Sequence, residues 1–154
     1  MYRCLSVSAF AFIFASIVTL HIQAAEPWAD ERLPVKDGLA VWLDASRANA
    51  ARVAAKLPAL SADDNKLDVW LDASGNKRDA VQKTAQAQPR LHADKGIAAV
   101  RFDGIDDSLA NTSWAADLGE VTIIVVAAVQ SNAGDWRGFL ALNANNQNDY
   151  TSGL

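Results

Sequence analysis

Three aspartates grouped within five residues are the side chains of this chain best suited to chemistry. Asp103, Asp106 and Asp107 surround Gly104 in the sequence VRFDGIDDSLAN, which spans residues 100–111. Carboxylates this close repel one another unless a cation or hydrogen-bond donors neutralise them. Calcium suits such a group because it accepts about six to eight oxygen ligands in irregular geometry. One hypothesis is therefore a calcium site at these three residues.

Ordinary turn chemistry is the alternative for the same residues. Asp and Gly are typical of hairpin turns, and Asp side chains accept hydrogen bonds from neighbouring backbone amides. The spacing also differs from that of the calcium loop in which acids alternate along the chain. We therefore favour a structural role for the cluster. A second acidic group, formed by Asp63, Asp64 and Asp68, is interpreted as a solvated turn.

Three aromatic residues lie in predicted loops, where a flat ring can stack on a sugar: Trp114, Trp136 and Tyr150. Of these, Trp114 and Trp136 are the candidate ligand-binding residues. The alternative is that they pack over the rim of the domain. Two further tryptophans, Trp42 and Trp70, lie within predicted strands and are expected in the core or between sheets.

No arrangement of residues typical of a catalytic site is found in the sequence. His92 is the only histidine after the first 25 residues, and a lone histidine cannot form a histidine-rich metal site. The chain has neither a G-x-S-x-G motif around a nucleophilic serine nor a glycine-rich phosphate loop. The sequence therefore predicts a protein that is not an enzyme.

Alternating apolar residues predict the strands that must position these side chains. Residues 39–44 and 67–72 alternate between two faces, and residues 97–103 do so before a hairpin turn at Asp103 and Gly104. The apolar run VTIIVVAAV at residues 121–129 is typical of a central strand covered on both faces.

Two further elements complete the expected architecture. The alanine-rich residues 45–57 predict one short helix that ends before Pro58, and residues 138–142 predict another strand. Short strands separated by polar turns indicate an all-β sandwich.

The first 25 residues predict a signal peptide. Arg3 is the only charge before Glu26, a mostly apolar run follows it, and small residues end the segment. An uncleaved membrane anchor is the alternative, and either interpretation predicts a secreted or cell-envelope protein. Residues 26–38, which contain Pro27 and Pro34, are interpreted as a linker, and residues 39–154 as the domain.

Charge and cysteine content restrict the partners and the sources of stability. The net charge of −4 argues against binding to nucleic acid or to anionic lipid. The single cysteine, Cys4, lies within the predicted signal peptide, so disulfides cannot stabilise the exported domain.

Four ordered segments resemble the laminin G-like members of the concanavalin A-like jelly-roll superfamily. They are GLAVWLDAS at residues 38–46, VWLDASGNKRDAVQ at 69–82, AVRFDGIDDSL at 99–109 and VTIIVVAAV at 121–129. The resemblance implies a jelly-roll β-sandwich and a secreted recognition module that binds carbohydrate or protein at its rim loops. Only part of a jelly roll is matched, so we expect exposed strand edges that favour self-association.

The resemblance also leaves two alternatives open. Some enzymes of this superfamily hydrolyse glycosidic bonds with paired glutamates in an E-x-D-x-x-E motif. Glu26, Glu31 and Glu120 do not form that motif. The chain is therefore, alternatively, the N-terminal part of a carbohydrate-active enzyme whose catalytic strands lie elsewhere, or a structural remnant without independent function.

Overall fold

The computed structural model describes residues 24–35, 37–114, 120–129 and 138–142. This part of the chain holds four short strands and little helix. The strands are β1 (Val69–Trp70), β2 (Ala80–Val81), β3 (Arg90–Asp94) and β4 (Ile97–Arg101). The helical elements are a 3-10 turn at Ala45–Arg47, the helix α1 at Ala48–Ala54 and a second 3-10 turn at Ala85–Ala87. Nearly all of the predicted signal peptide lies outside the described residues.

The helix predicted at residues 45–57 is confirmed. Asp44 begins it, because its carboxylate accepts hydrogen bonds from the amide of Ser46 at 2.8 Å and from the Ser46 hydroxyl at 2.7 Å. Alanines favour the helical turns that follow. The helix ends at Ala54, two residues before Lys56, whose positive φ of 60° stops the regular backbone.

Strands β3 and β4 form an antiparallel hairpin in which Leu91 faces Val100 and Asp94 faces Ile97. Its loop is Lys95 and Gly96, with φ values of 49° and 81°. Two consecutive positive φ values are typical of the type I′ turn, whose twist matches that of paired strands. The alternation of residues 97–101 therefore correctly predicts β4.

The predicted hairpin turn at Asp103 and Gly104 is wrong. Strand β4 ends at Arg101, and the chain bends at Gly104, where φ is 76°, without returning along β4. The side chain of Asp103 occupies the backbone amides that follow it, so they are not available for a strand ladder.

Strands β1 and β2 form a second antiparallel sheet, in which Val69 faces Val81. Isolated bridges widen both sheets. Val81 also pairs with Ala110, and Lys66 pairs with Arg90 at the start of β3. The stretch from residue 65 to residue 70 thus lies beside both sheets and connects them.

Small side chains form most of the buried interior. Leu67 and Pro89 are the largest fully buried side chains, and they are accompanied by Ala48, Ala51, Ala73 and Ala80. An interior made largely of alanine removes little apolar area from water per residue, so polar contacts must supply much of the local order.

Three predicted strands are not present in the described part of the chain. Residues 39–44 are irregular, and they are held by hydrogen bonds instead of a strand ladder. Residues 121–129 form no strand and are exposed throughout, with Ile124 at 86% and Val126 at 98% exposure. The prediction of a central strand covered on both faces is therefore wrong. Residues 138–142 hold only an isolated bridge residue, Ala141.

An apolar strand is covered on both faces only when it lies within a sheet against which other elements pack. None of the described strands pairs with residues 121–129. The described residues thus form a mostly β arrangement of two antiparallel strand pairs and one short helix. None of the helices in the described ranges has the length and apolar character needed to cross a lipid bilayer.

The hairpin loop gives a direct test of the fold. Replacing Gly96 with Ala is expected to lower the free energy of unfolding by about 1–2 kcal/mol, because a Cβ atom is strained at this positive φ. No atom crowds this position, so the cost comes from the backbone alone. Lys95→Asn is the control and should preserve stability, because asparagine tolerates positive φ. Equal urea denaturation midpoints for Gly96→Ala and the unmodified chain would contradict this register.

Candidate functional site

The acidic loop, Asp103 to Asp107, follows directly after β4 and is ordered by its own side chains. The Asp103 carboxylate accepts a hydrogen bond from the amide of Ile105 at 2.8 Å and longer ones from Asp106 and Asp107 at 3.3 Å and 3.4 Å. The Asp107 carboxylate accepts the amide proton of Asp103 at 2.8 Å. This is the local amide capping that turn chemistry predicts.

The same loop brings three carboxylates together at the surface. One oxygen each from Asp103, Asp106 and Asp107 lies within 4.8 Å of the others. Asp106 is exposed, and its carboxylate accepts no hydrogen bond from a described residue. A calcium ion between these oxygens would need several more ligands from water or backbone carbonyls, as calcium sites commonly have. The cluster is therefore a structural turn whose outer oxygens can approach one cation.

Trp114 lies against the loop that follows β1. The guanidinium carbon of Arg78 stands 4.1 Å from the centroid of the Trp114 ring, which is a cation–π contact. The indole is half-buried, and its shielded Nε1 has no acceptor among the described residues. Arg78 covers one face of the ring, so that face is closed to a sugar. Trp136 and Tyr150 lie outside the described residues.

Asp72 is a buried carboxylate whose role the sequence did not reveal. Its side chain accepts four hydrogen bonds: from the amides of Trp42, Ser74 and Arg78 at 2.8, 2.9 and 3.0 Å, and from the Ser74 hydroxyl at 2.7 Å. Its own amide donates to Asp79 at 2.8 Å. At 2% exposure, such a charge is tolerated only because donors surround it.

Two neighbours of Asp72 extend this network to the chain before the helix. The side-chain amide of Asn76 donates to the carbonyls of Leu39 and Ala40 at 2.8 and 3.1 Å. Arg78 also donates to the Ala40 carbonyl, at 3.1 Å. Residues 74–79, SGNKRD, thus hold the carbonyls of residues 39 and 40 in place of a strand partner.

The remaining titratable candidates have structural surroundings. Asp68 pairs with Arg52 at 2.6 Å, and Arg52 is nearly buried and also donates to the Pro58 carbonyl at 2.7 Å. Asp68 therefore belongs to an ion pair and not to a solvated turn, while Asp63 and Asp64 are exposed as expected. His92 is exposed on β3 opposite Ala99.

The segment interpreted as a linker contains a second ordered group of side chains. Arg32 donates from Nε at 3.0 Å and from Nη2 at 2.6 Å to the Asp30 carboxylate, and Arg47 lies 3.7 Å from it. The amide of Glu26 donates to the Ala73 carbonyl at 3.0 Å, which ties this segment to the Asp72 loop. The available signal in the sequence was the Asp at residue 30 with an Arg two residues later, because an Asp side chain can accept the backbone amide of the second residue after it, here at 3.0 Å.

These contacts shift the pKa values of the paired groups. Hydrogen bonds from the Arg32 side chain, and then from its backbone amide, hold the pKa of Asp30 well below its usual range. The same pair raises the pKa of Arg32. Asp30 is therefore ionised at neutral pH.

Comparisons of the chain with protein-family models, with curated proteins and with solved structures give no match.

Replacing Asp72 with Asn tests the buried network. We expect the free energy of unfolding to fall by about 2–4 kcal/mol. In the variant an NH₂ group replaces one carboxylate oxygen, so the donors that this oxygen accepted from face another donor and have no other acceptor. Asp63→Asn is the control, since Asp63 is exposed and its loss should change stability by less than about 0.5 kcal/mol. Urea denaturation measures both variants. A loss for Asp72→Asn no larger than that of the control would contradict the network.

Replacing Arg32 with Gln tests the pair at Asp30. The pKa of Asp30 should rise toward its ordinary value of 3.8, because its main hydrogen-bond donor is lost. A lowered folded-state pKa gives stability that is present above the ordinary carboxyl pKa and is lost as the pH falls below it. The screened surface pair should add little to overall stability. Carboxyl-carbon NMR titration measures the shift, and Arg90→Gln, outside this group, should leave it unchanged.

Proposed function

We propose that this protein is a secreted, non-catalytic recognition module that binds a glycan at the acidic loop with the help of calcium. The observation that carries the proposal is the group of three carboxylate oxygens within 4.8 Å on an exposed loop. Loops that project from an ordered scaffold are where proteins most often place binding residues.

A jelly-roll fold of the laminin G-like type is part of the proposal. Its support is the order of the four sequence segments, together with the mostly β arrangement of the described residues. Two of these segments hold structural features: the Asp72 network occupies residues 69–82, and the capped turn after β4 occupies residues 99–109. Export of the module is proposed from the signal-like residues 1–25.

The geometry of the carboxylates favours recognition over hydrolysis. Glycosidases need one carboxyl group to exchange a proton and a second to act as base or nucleophile. The Asp72 carboxylate accepts four hydrogen bonds, Asp68 forms an ion pair with Arg52, and Asp30 forms one with Arg32. These three carboxylates are thus engaged in structural contacts, whereas the acidic loop faces solvent, where a ligand can reach it.

Calcium would act in this proposal by neutralising the loop and by offering coordination positions to sugar hydroxyl groups. The Asp103 carboxylate already orders the turn, so binding would require only modest rearrangement of its backbone. The acidic composition, with net charge −4, agrees with a glycan or an extracellular protein as partner and not with nucleic acid.

One observation favours a second candidate function. The exposed apolar side chains of residues 121–129 suit a strand that is buried in a larger assembly. The module would then be one part of a larger jelly-roll domain, of which a carbohydrate-active enzyme is one kind. Self-association through this exposed segment is the competing explanation for the same side chains.

Calcium titration of thermal unfolding tests the proposed site. Calcium should raise the melting temperature, because a ligand that binds only the folded state stabilises it by mass action. The increase should disappear in Asp106→Asn, whose carboxylate caps no backbone amide among the described residues, and should persist in Asp63→Asn. A glycan array with calcium and with chelator then identifies the ligand. No calcium-dependent melting shift and no glycan bound would contradict the proposal.

A further inference from the structure

A cleft of about 430 Å³ lies between the N-terminal segment and the start of α1. Pro27, Trp28, Asp30 and Arg32 form one side, and Arg47 and Ala50 form the other. Its volume falls within the range of about 300–1,000 Å³ that is common for small-molecule sites. A smaller neighbouring cleft of about 340 Å³ shares Asp30 and Arg32 and reaches Trp42. The cleft is separate in sequence from the acidic loop.

The walls of the cleft combine one fixed acceptor with unused donors. The Asp30 carboxylate is 13% exposed and is held in place by the two nitrogens of Arg32. Arg47 is held much less firmly, because its Nη2 stands 3.7 Å from Asp30, beyond hydrogen-bonding distance. The shielded Nε of Arg47 has no acceptor among the described residues. The Arg47 side chain as a whole is 39% exposed, so its terminal nitrogens remain accessible to a ligand in the cleft.

The charges around the cleft favour a neutral ligand. The lining contains two arginines, Arg32 and Arg47, and two acids, Asp30 and Glu31. This balance provides no net attraction for a strongly acidic or strongly basic molecule. Hydroxyl groups both donate and accept hydrogen bonds, so a polyhydroxylated ligand can use the carboxylate and the guanidinium groups together.

The apolar part of the cleft suits a ring. Pro27, Trp28 and Ala50 supply the apolar part of the lining, and Trp28 is half-buried. An aromatic side chain offers a large, rigid apolar surface at low entropic cost. A sugar ring has one apolar face and a rim of hydroxyl groups, which is the combination that these walls complement.

We propose that the cleft bounded by Trp28, Asp30, Arg32 and Arg47 binds one ring of a neutral saccharide without calcium. Trp28 contacts the apolar face of the ring, and the Asp30–Arg32 pair and Arg47 bind its hydroxyl groups. The cleft is a second site for the same class of ligand, and it functions independently of the acidic loop.

Calorimetric titration of the full-length chain with neutral trisaccharides tests the proposal. The probes are maltotriose, cellotriose, xylotriose and mannotriose, in buffer that contains EDTA. We expect at least one to bind, with affinity reduced about tenfold or more in Trp28→Ala and in Arg47→Gln. Trp28→Phe keeps an aromatic surface and should retain most of the affinity. Arg90→Gln is the matched arginine control outside the cleft and should bind as the unmodified chain does.

The outcomes separate this site from the acidic loop. Binding that survives EDTA and Asp106→Asn, but is lost in the correctly folded Arg47→Gln variant, supports the cleft even if calcium has no effect. Binding that requires calcium and persists in Trp28→Ala and Arg47→Gln supports the acidic loop and overturns the cleft. No binding of any probe, or stronger binding of trigalacturonate than of the neutral trisaccharides, also overturns it. Melting curves of each variant confirm that the fold is intact.

Discussion

The buried carboxylate of Asp72 is the constraint on which the described part of this protein depends. A charge that is removed from water must be compensated by hydrogen bonds, and four donors from three residues meet at its two oxygens. Satisfying it fixes Trp42, the turn at Ser74 and the backbone at Arg78. The carbonyl of Ala73 in the same turn accepts the amide of Glu26, so the N-terminal segment is positioned by this network as well. The strands and the cleft are therefore arranged around a polar centre.

This polar network compensates for a buried apolar interior that is small in the described residues. Alanines supply most of the buried apolar side chains, and Leu67 and Pro89 are the largest ones. The pair between the buried Arg52 and the half-exposed Asp68 adds a second polar contact, and Arg52 also holds the Pro58 carbonyl. Removing Asp72 would leave the donors around it without an acceptor, so this acid has a structural role. The two proposed binding sites, the acidic loop and the cleft, lie apart from it at the surface.

Local features of the sequence predicted local features of the structure. Alanine content and Pro58 located the helix, alternation located β4, and Asp-Gly chemistry located a bend at Gly104, although not the hairpin that was expected there. Lys95-Gly96 is a weaker turn signal than Asp-Gly, so the sequence did not indicate the hairpin loop that its backbone forms. Contacts between distant residues were not predicted either. Burial of residues 121–129 depends on neighbouring strands, which an apolar run cannot specify. Asp72 resembled any acid at the end of a strand. The Asp30–Arg32 pair was missed because proline and charge led to the interpretation of this segment as a linker.

Native-state hydrogen exchange at individual amides tests most directly whether the Asp72 network organises the fold. The amides of Trp42, Ser74 and Arg78 donate to a buried carboxylate, whereas the amide of Ile105 makes the same kind of bond, at 2.8 Å, to the exposed Asp103. If the network opens only when the described part unfolds, its three amides exchange slowly and at a common rate, far more slowly than Ile105. Exchange of all four amides at similar, fast rates would contradict the account.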